Sequence, residues 1–143
     1  MTKVLLFLTY AVGIYLLLIL LMFIFQRYLL YLPSKQKVDI SYYSNTGLKK
    51  VDIITQDGLI LKSLFKKPIS QNRSTIVIFH GNAGHIGHRV EKFKTFLDSG
   101  YGLLLLEYRG YGENPGNPNE KSLYKDGLAA LKFLDNQNIF PRK

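Results

Sequence analysis

The pattern of apolar and polar positions divides the chain near residue 25. From Val4 to Phe25 runs an uncharged stretch of 22 residues, dominated by Leu, Ile, Val and Phe, with only Thr9, Tyr10, Gly13 and Tyr15 weakly polar. As a helix rising about 1.5 Å per residue, it would reach about 33 Å and cross a hydrocarbon core of about 30 Å. The run is too long for a signal-peptide core, and no small-x-small cleavage site follows it. Residues 1–25 are therefore expected to form an N-terminal, single-pass membrane anchor. Positive charge flanks both ends (the amino group of Met1 and Lys3 before, Arg27, Lys35 and Lys37 after), and is too nearly balanced to assign a side of the membrane. Pro33, Ser34, Ser44, Asn45 and Gly47 interrupt residues 26–48, which predicts a polar juxtamembrane tether.

Beyond the tether the period changes. Val51–Thr55 reads as a strand, Gln56-Asp57-Gly58 as a hairpin turn and Leu59–Phe65 as the partner strand. Ser74–Phe79 is a continuous apolar, β-branched run, the pattern of a parallel strand buried on both faces. From His85 to Asp98, Ile86, Val90, Phe93 and Phe96/Leu97 recur at helical spacing, with Gly100 placed as a C′ residue. Gly102–Glu107 is a further apolar strand. Asn117, Pro118 and Glu120 suit the N-cap, N1 and N3 positions of a helix running to about Asp135. Its expected inner face is Leu123, Tyr124, Gly127, Leu128, Leu131 and Leu134, and Asn136, Asn138 and Pro141 are expected to end it. A hairpin followed by strand, helix, strand, helix predicts an α/β fold over residues 49–143, with a mostly parallel sheet and right-handed crossovers.

Charge changes this picture little. All ten acidic residues and eighteen of the nineteen basic ones follow the apolar run, a balance of +8. Lys49, Lys50, Lys66 and Lys67 would favour an anionic lipid surface. No cationic cluster interleaved with stacking aromatics supports nucleic-acid binding. With no cysteine, disulfides, thiolate metal sites and a cysteine nucleophile are excluded.

The candidate chemistry lies in two short motifs, His80-Gly81-Asn82-Ala83-Gly84 and Tyr108-Arg109-Gly110-Tyr111-Gly112. The first follows a parallel strand, at the sheet edge where open α/β folds bind ligands. Small residues there let backbone N–H groups approach a phosphate or a tetrahedral oxyanion, and a following helix N-terminus would add positive charge. The glycine spacing matches neither a P-loop nor Gly-x-Gly-x-x-Gly, so no nucleotide cofactor is implied. His80, His85 and His88 lack a further ligand at metal spacing, which favours ordinary first-turn positions for His85 and His88.

These motifs, with an apolar span before them and Pro118-x-Glu120-x-x-Leu123-Tyr124-x-Asp126 after them, resemble the membrane-anchored α/β-hydrolases of the Bem46/ABHD13 type from about Val51 to Asn136. The resemblance implies that the backbone N–H of Asn82, aided by Ala83, serves as an oxyanion donor, in a site that needs no cofactor. His80, Gly81, Gly84, Tyr108 and Arg109 become the substrate-binding candidates: His80 and Gly81 shape the turn, and Tyr108 and Arg109 brace the neighbouring loop. A structural salt bridge of Arg109 to Glu107 or Glu113 is the alternative role for that residue. No Gly-x-Ser-x-Gly occurs in the 143 residues. The expectation is thus the N-terminal half of a serine hydrolase, inactive alone, with the nucleophile, acid and base of acyl-ester or thioester hydrolysis on a separately encoded C-terminal half if they exist. Ile76–Phe79 would then be an unpaired sheet edge and the soluble part poorly folded or self-associating. The alternative is a non-catalytic, membrane-anchored protein that binds a partner through that edge.

Overall fold

The computed structural model describes residues 3–137 in two compact units, one up to Leu32 and one from Pro33 onward. Met1, Asn138 and Pro141, which enter the sequence reading, lie outside the described residues. The first unit is one helix, α1 (Lys3–Leu30), long and apolar enough to cross a membrane and buried nowhere along its length. It runs five residues past the apolar stretch because Gln26-Arg27-Tyr28-Leu29-Leu30 holds no breaker. Pro33 then disfavours helical geometry at the residue before it. Thr9 donates its hydroxyl to the Leu5 carbonyl at 2.9 Å, so this polar group is satisfied within the helix.

The second unit is built on a four-stranded sheet of β1 (Lys49–Ile54), β2 (Ile60–Lys66), β3 (Thr75–Phe79) and β4 (Gly102–Leu106), in the spatial order β1-β2-β4-β3. The hairpin β1/β2 is antiparallel, with Val51 opposite Ser63, and β2/β4 is also antiparallel. β3 and β4 are parallel, with Val77 opposite Leu104. Alternation along β4 divides the core in two. Leu103 and Leu105 pack with Val38, Leu48, Leu64, Ile86, Val90 and Leu97 on one face. Leu104 and Leu106 pack with Ile53, Leu61, Phe65, Ala129, Ala130 and Leu134 on the other. Covering both faces explains why every residue of β4 is buried.

Several expectations change here. β3 is the sheet edge expected for Ile76–Phe79, but it is half-buried where its apolar run reads as buried on both faces, with Phe79 46% exposed. Residues 33–48, expected as a tether, pack onto the sheet through buried Val38, Thr46 and Leu48, and Asp39 caps a 3-10 helix over Ile40–Thr46. The segment 85–98 is two 3-10 turns (Ile86–Arg89 and Glu91–Phe93) before a short α2 (Lys94–Asp98). The Tyr43 hydroxyl donates to the Gly87 carbonyl at 2.8 Å, and the His85 ring accepts the Gly87 N–H at 3.1 Å. These partners replace the regular ladder of one α-helix. Gly100 does take the C′ position: its φ is +83°, its N–H reaches Leu97 at 3.1 Å and the Tyr101 N–H reaches Phe96 at 3.1 Å, the paired bonds of a Schellman motif.

The last helix, α3 (Glu120–Asn136), starts two residues later than Asn117 would place it. Asn119 is the N-cap, accepting the Ser122 N–H at 2.9 Å, while the Ser122 hydroxyl accepts the Asn119 N–H at 2.9 Å. The buried positions are Ser122, Asp126, Ala129, Ala130 and Leu134. Tyr124, Leu128 and Leu131, expected on the inner face, are 68%, 63% and 47% exposed.

Candidate active site

The turn Gly81–Gly84 stands at the carboxyl end of β3, beside the segment that leaves β4. Gly81 and Asn82 are exposed, Ala83 and Gly84 half-buried. Four successive carbonyls of the turn are each tied to a donor. His80 Nδ1 lies 2.7 Å from the Gly81 oxygen. The Tyr111 hydroxyl donates to Asn82 O at 2.8 Å, Arg89 Nη2 donates to Ala83 O at 3.1 Å, and the Ser34 N–H donates to Gly84 O at 3.0 Å. In a planar trans peptide the N–H points opposite the preceding C=O. The Asn82 N–H therefore faces away from the His80 ring, and the Ala83 N–H away from Tyr111.

His80 is buried and does not face an open site. Its ring lies 4.8 Å from those of Tyr108 and of Tyr111. Its Nε2 is 3.1 Å from Glu107 Oε1, with both side chains almost fully buried, and 3.4 Å from the Tyr108 N–H. The same Glu107 carboxylate accepts the Ile86 N–H at 3.1 and 3.3 Å. His80 and Ile86 are the two ends of the turn, so one buried group holds both. Glu107 is itself fixed: its N–H donates to Ser63 Oγ at 3.1 Å and its carbonyl accepts from Asn114 Nδ2 at 2.8 Å.

Arg109 is a brace rather than a group pointing into a pocket. The salt-bridge alternative holds, with different partners from those expected. Nε and Nη2 donate to Asp126 Oδ1 at 2.9 and 2.6 Å, and the Arg109 N–H donates to Asp126 Oδ2 at 3.0 Å. Nη1 and Nη2 reach the two Asp57 oxygens at 2.9 and 3.0 Å. Glu107 is occupied by His80, and Glu113 pairs with Lys50 at 2.6 Å. Hydrogen bonds from Arg109 and Thr55 hold the Asp57 carboxyl well below the usual carboxylate range, and Asp57 and Asp126 push the guanidinium further up. Tyr108 is half-buried, stacked at 6.4 Å on Phe79, and burial, with Asp126 behind it, raises its hydroxyl.

The residues after the turn differ from expectation in charge as well as shape. No α-helix begins there, so the positive end of a helix dipole is absent; the nearby cation is Arg89. His85 is the buried cap of the first 3-10 turn, its ring 3.9 Å from that of His88, and burial followed by the His88 charge lowers it. Among the described residues no group of three His, Cys, Asp or Glu side chains is disposed to hold a metal ion. Nothing in the motif spacing points to Glu107 as the partner of His80, to Tyr111 as the donor to the turn, or to Asp57 and Asp126 as the partners of Arg109. Tyr111 and Asp126 were visible only as members of motifs.

No protein-family model matches the chain. Protein bem46 of Schizosaccharomyces pombe is 30% identical over 104 residues, covering 71% of this chain and 35% of that protein. The lysophosphatidylserine lipase ABHD12 of Danio rerio is 32% identical over 80 residues, covering 54% of this chain and 21% of the lipase. Among solved structures, the Pyrococcus furiosus esterase Pf2001 superposes with a TM-score of 0.58 at 20% identity, covering 77% of this chain and 43% of the esterase. The chain thus spans less than half the length of these relatives. The strand order β1-β2-β4-β3, the turn after β3 and these similarities together place the chain with the Bem46-type α/β-hydrolases.

Proposed function

We propose that the chain supplies the oxyanion turn of a membrane-anchored serine hydrolase that acts on acyl esters at a lipid surface. The observation that carries this reading is the turn itself. Its carbonyls at 81 and 82 are drawn onto His80 and Tyr111, which directs the Asn82 and Ala83 N–H groups the other way, as donors to a developing oxyanion require. α1 would anchor the chain in a membrane, whose lipids carry acyl esters. Residues 1–143 hold no nucleophile elbow. One oxyanion donor contributes about 3–4 kcal/mol in a complete site, whereas losing a nucleophile or base alone costs on the order of a million-fold in turnover. Hydrolysis therefore requires a serine, an acid and a histidine from further polypeptide.

A fluorophosphonate probe tests this. The 16.4 kDa chain alone should stay unlabelled. A species that joins it, covalently or in a complex, to a Gly-x-Ser-x-Gly polypeptide should label and release acid from a lysophospholipid. If no species containing the chain labels, the hydrolase reading fails.

A further inference from the structure

We infer that Glu107 and Tyr111, both supplied by the segment that follows β4, are positioning residues that set the peptide orientation of the Gly81–Ala83 turn. This rests on reading that turn as the oxyanion site. With Gly81 and Asn82 exposed, the apex has little side-chain packing of its own to choose one peptide orientation over another. The choice falls to its hydrogen bonds. Glu107 grips both ends, through His80 Nε2 at 3.1 Å and the Ile86 N–H at 3.1 Å. Tyr111, 1% exposed, grips the apex through its bond of 2.8 Å to Asn82 O.

The two are linked through Gly112. A Cβ built there would come within 2.8 Å of Glu107 Oε2, and φ is +55°, so the chain after Tyr111 closes directly onto the carboxylate. The Gly112 N–H is in turn fixed on Ser34 O at 2.7 Å. A rigid strand end, one buried carboxylate and one buried phenol thus hold the turn in a single orientation.

The test is peptide-resolved hydrogen exchange on the full 143-residue chain in detergent micelles. Tyr111→Phe removes one oxygen and leaves the ring in place. It should speed exchange of the Ser34 amide, which is bonded to the Gly84 carbonyl of the turn, about fivefold, as expected when one hydrogen bond of the turn is lost, with β1 and β2 unchanged. Glu107→Gln replaces a charged acceptor by a neutral one and should speed exchange of the Ile86 amide that it holds about tenfold. A role in packing alone would loosen the sheet and the turn together. Equal acceleration in both, no change at the turn, or uniformly fast exchange in the unsubstituted chain would each overturn the inference. If Glu107→Gln does not fold, Tyr111→Phe decides alone. In a probe-reactive species carrying this chain, Tyr111→Phe should lower kcat and leave KM unchanged. Exchange needs no substrate, so failure of the hydrolase reading and failure of the positioning role are separately visible.

Discussion

Arg109 joins three parts of the chain that are distant in sequence: its own loop, the β1/β2 turn through Asp57 and α3 through Asp126. Nothing in the spacing of residues 107–113 points to partners 52 and 17 positions away. A salt bridge was legible in the sequence; its partners were not, because only the fold brings Asp57 and Asp126 to one guanidinium. The same holds for His80, whose place in a Gly-rich turn is readable but whose burial against Glu107 depends on β3 and β4 lying side by side. The bond to Arg109 has a pH signature. The folded state holds the Asp57 carboxyl below its ordinary value of 3.8, so on acidification the unfolded chain takes up the proton first. The stabilisation is fully present above that value and is lost as pH falls below it. Urea midpoints of the unsubstituted chain and of Asp57→Asn should therefore differ most near neutrality and draw steadily closer as pH is lowered from 3.8 to about 2. A gap that stayed constant down to that pH would show that the carboxylate charge is not what joins the turn to Arg109.

At the scale of elements, the strands were the most legible, because an apolar run needs only neighbours on its faces to become one. β1, β2 and β4 fall within a residue or two of their sequence positions. Helices were harder for two distinct reasons. Between His85 and Asp98 the apolar spacing is helical, yet capping by His85 and the bond from Tyr43 to Gly87 close the backbone as 3-10 turns instead. In α3 apolar residues occupy two faces, and periodicity cannot choose between them. Asp126, pulled inward by Arg109, turns Ala129, Ala130 and Leu134 to the sheet and leaves Tyr124, Leu128 and Leu131 outside. The start of α3 gives a sharp check. Asn119→Ala should destabilise the chain by about 1 kcal/mol, the usual worth of an N-cap. Asn117→Ala should cost little, since the Ser122 hydroxyl meets its backbone carbonyl at 3.4 Å and not its side chain. Equal losses from the two substitutions in chemical denaturation would move the helix start back to Asn117.

For the whole molecule the decisive feature is the free side of β3. Thr75-Ile76-Val77-Ile78-Phe79 carries no charge, pairs only with β4 among the described strands, and ends on an exposed Phe79 next to α3. Tyr124, Leu128 and Leu131 extend apolar surface along the outside of that helix. Natural sheets protect such an edge with charge, proline or a bulge, and here none of these is in place. Unpaired main-chain groups beside exposed apolar side chains are a template for strand addition, either by more hydrolase polypeptide or by a second copy of this chain. With neither supplied, the apolar helix face and the open strand stay exposed to water, so the purified chain should be larger than a monomer in sedimentation and unfold broadly and irreversibly. Lysine placed at Val77 and Phe79 puts charge on the open strand and should shift that distribution towards monomer. The same substitutions should abolish capture of any polypeptide that docks on the edge. A chain that sediments as a monomer and melts in one sharp, reversible transition would show that β3 is stable as an edge. The exposed strand would then lose its place as the surface through which this chain assembles.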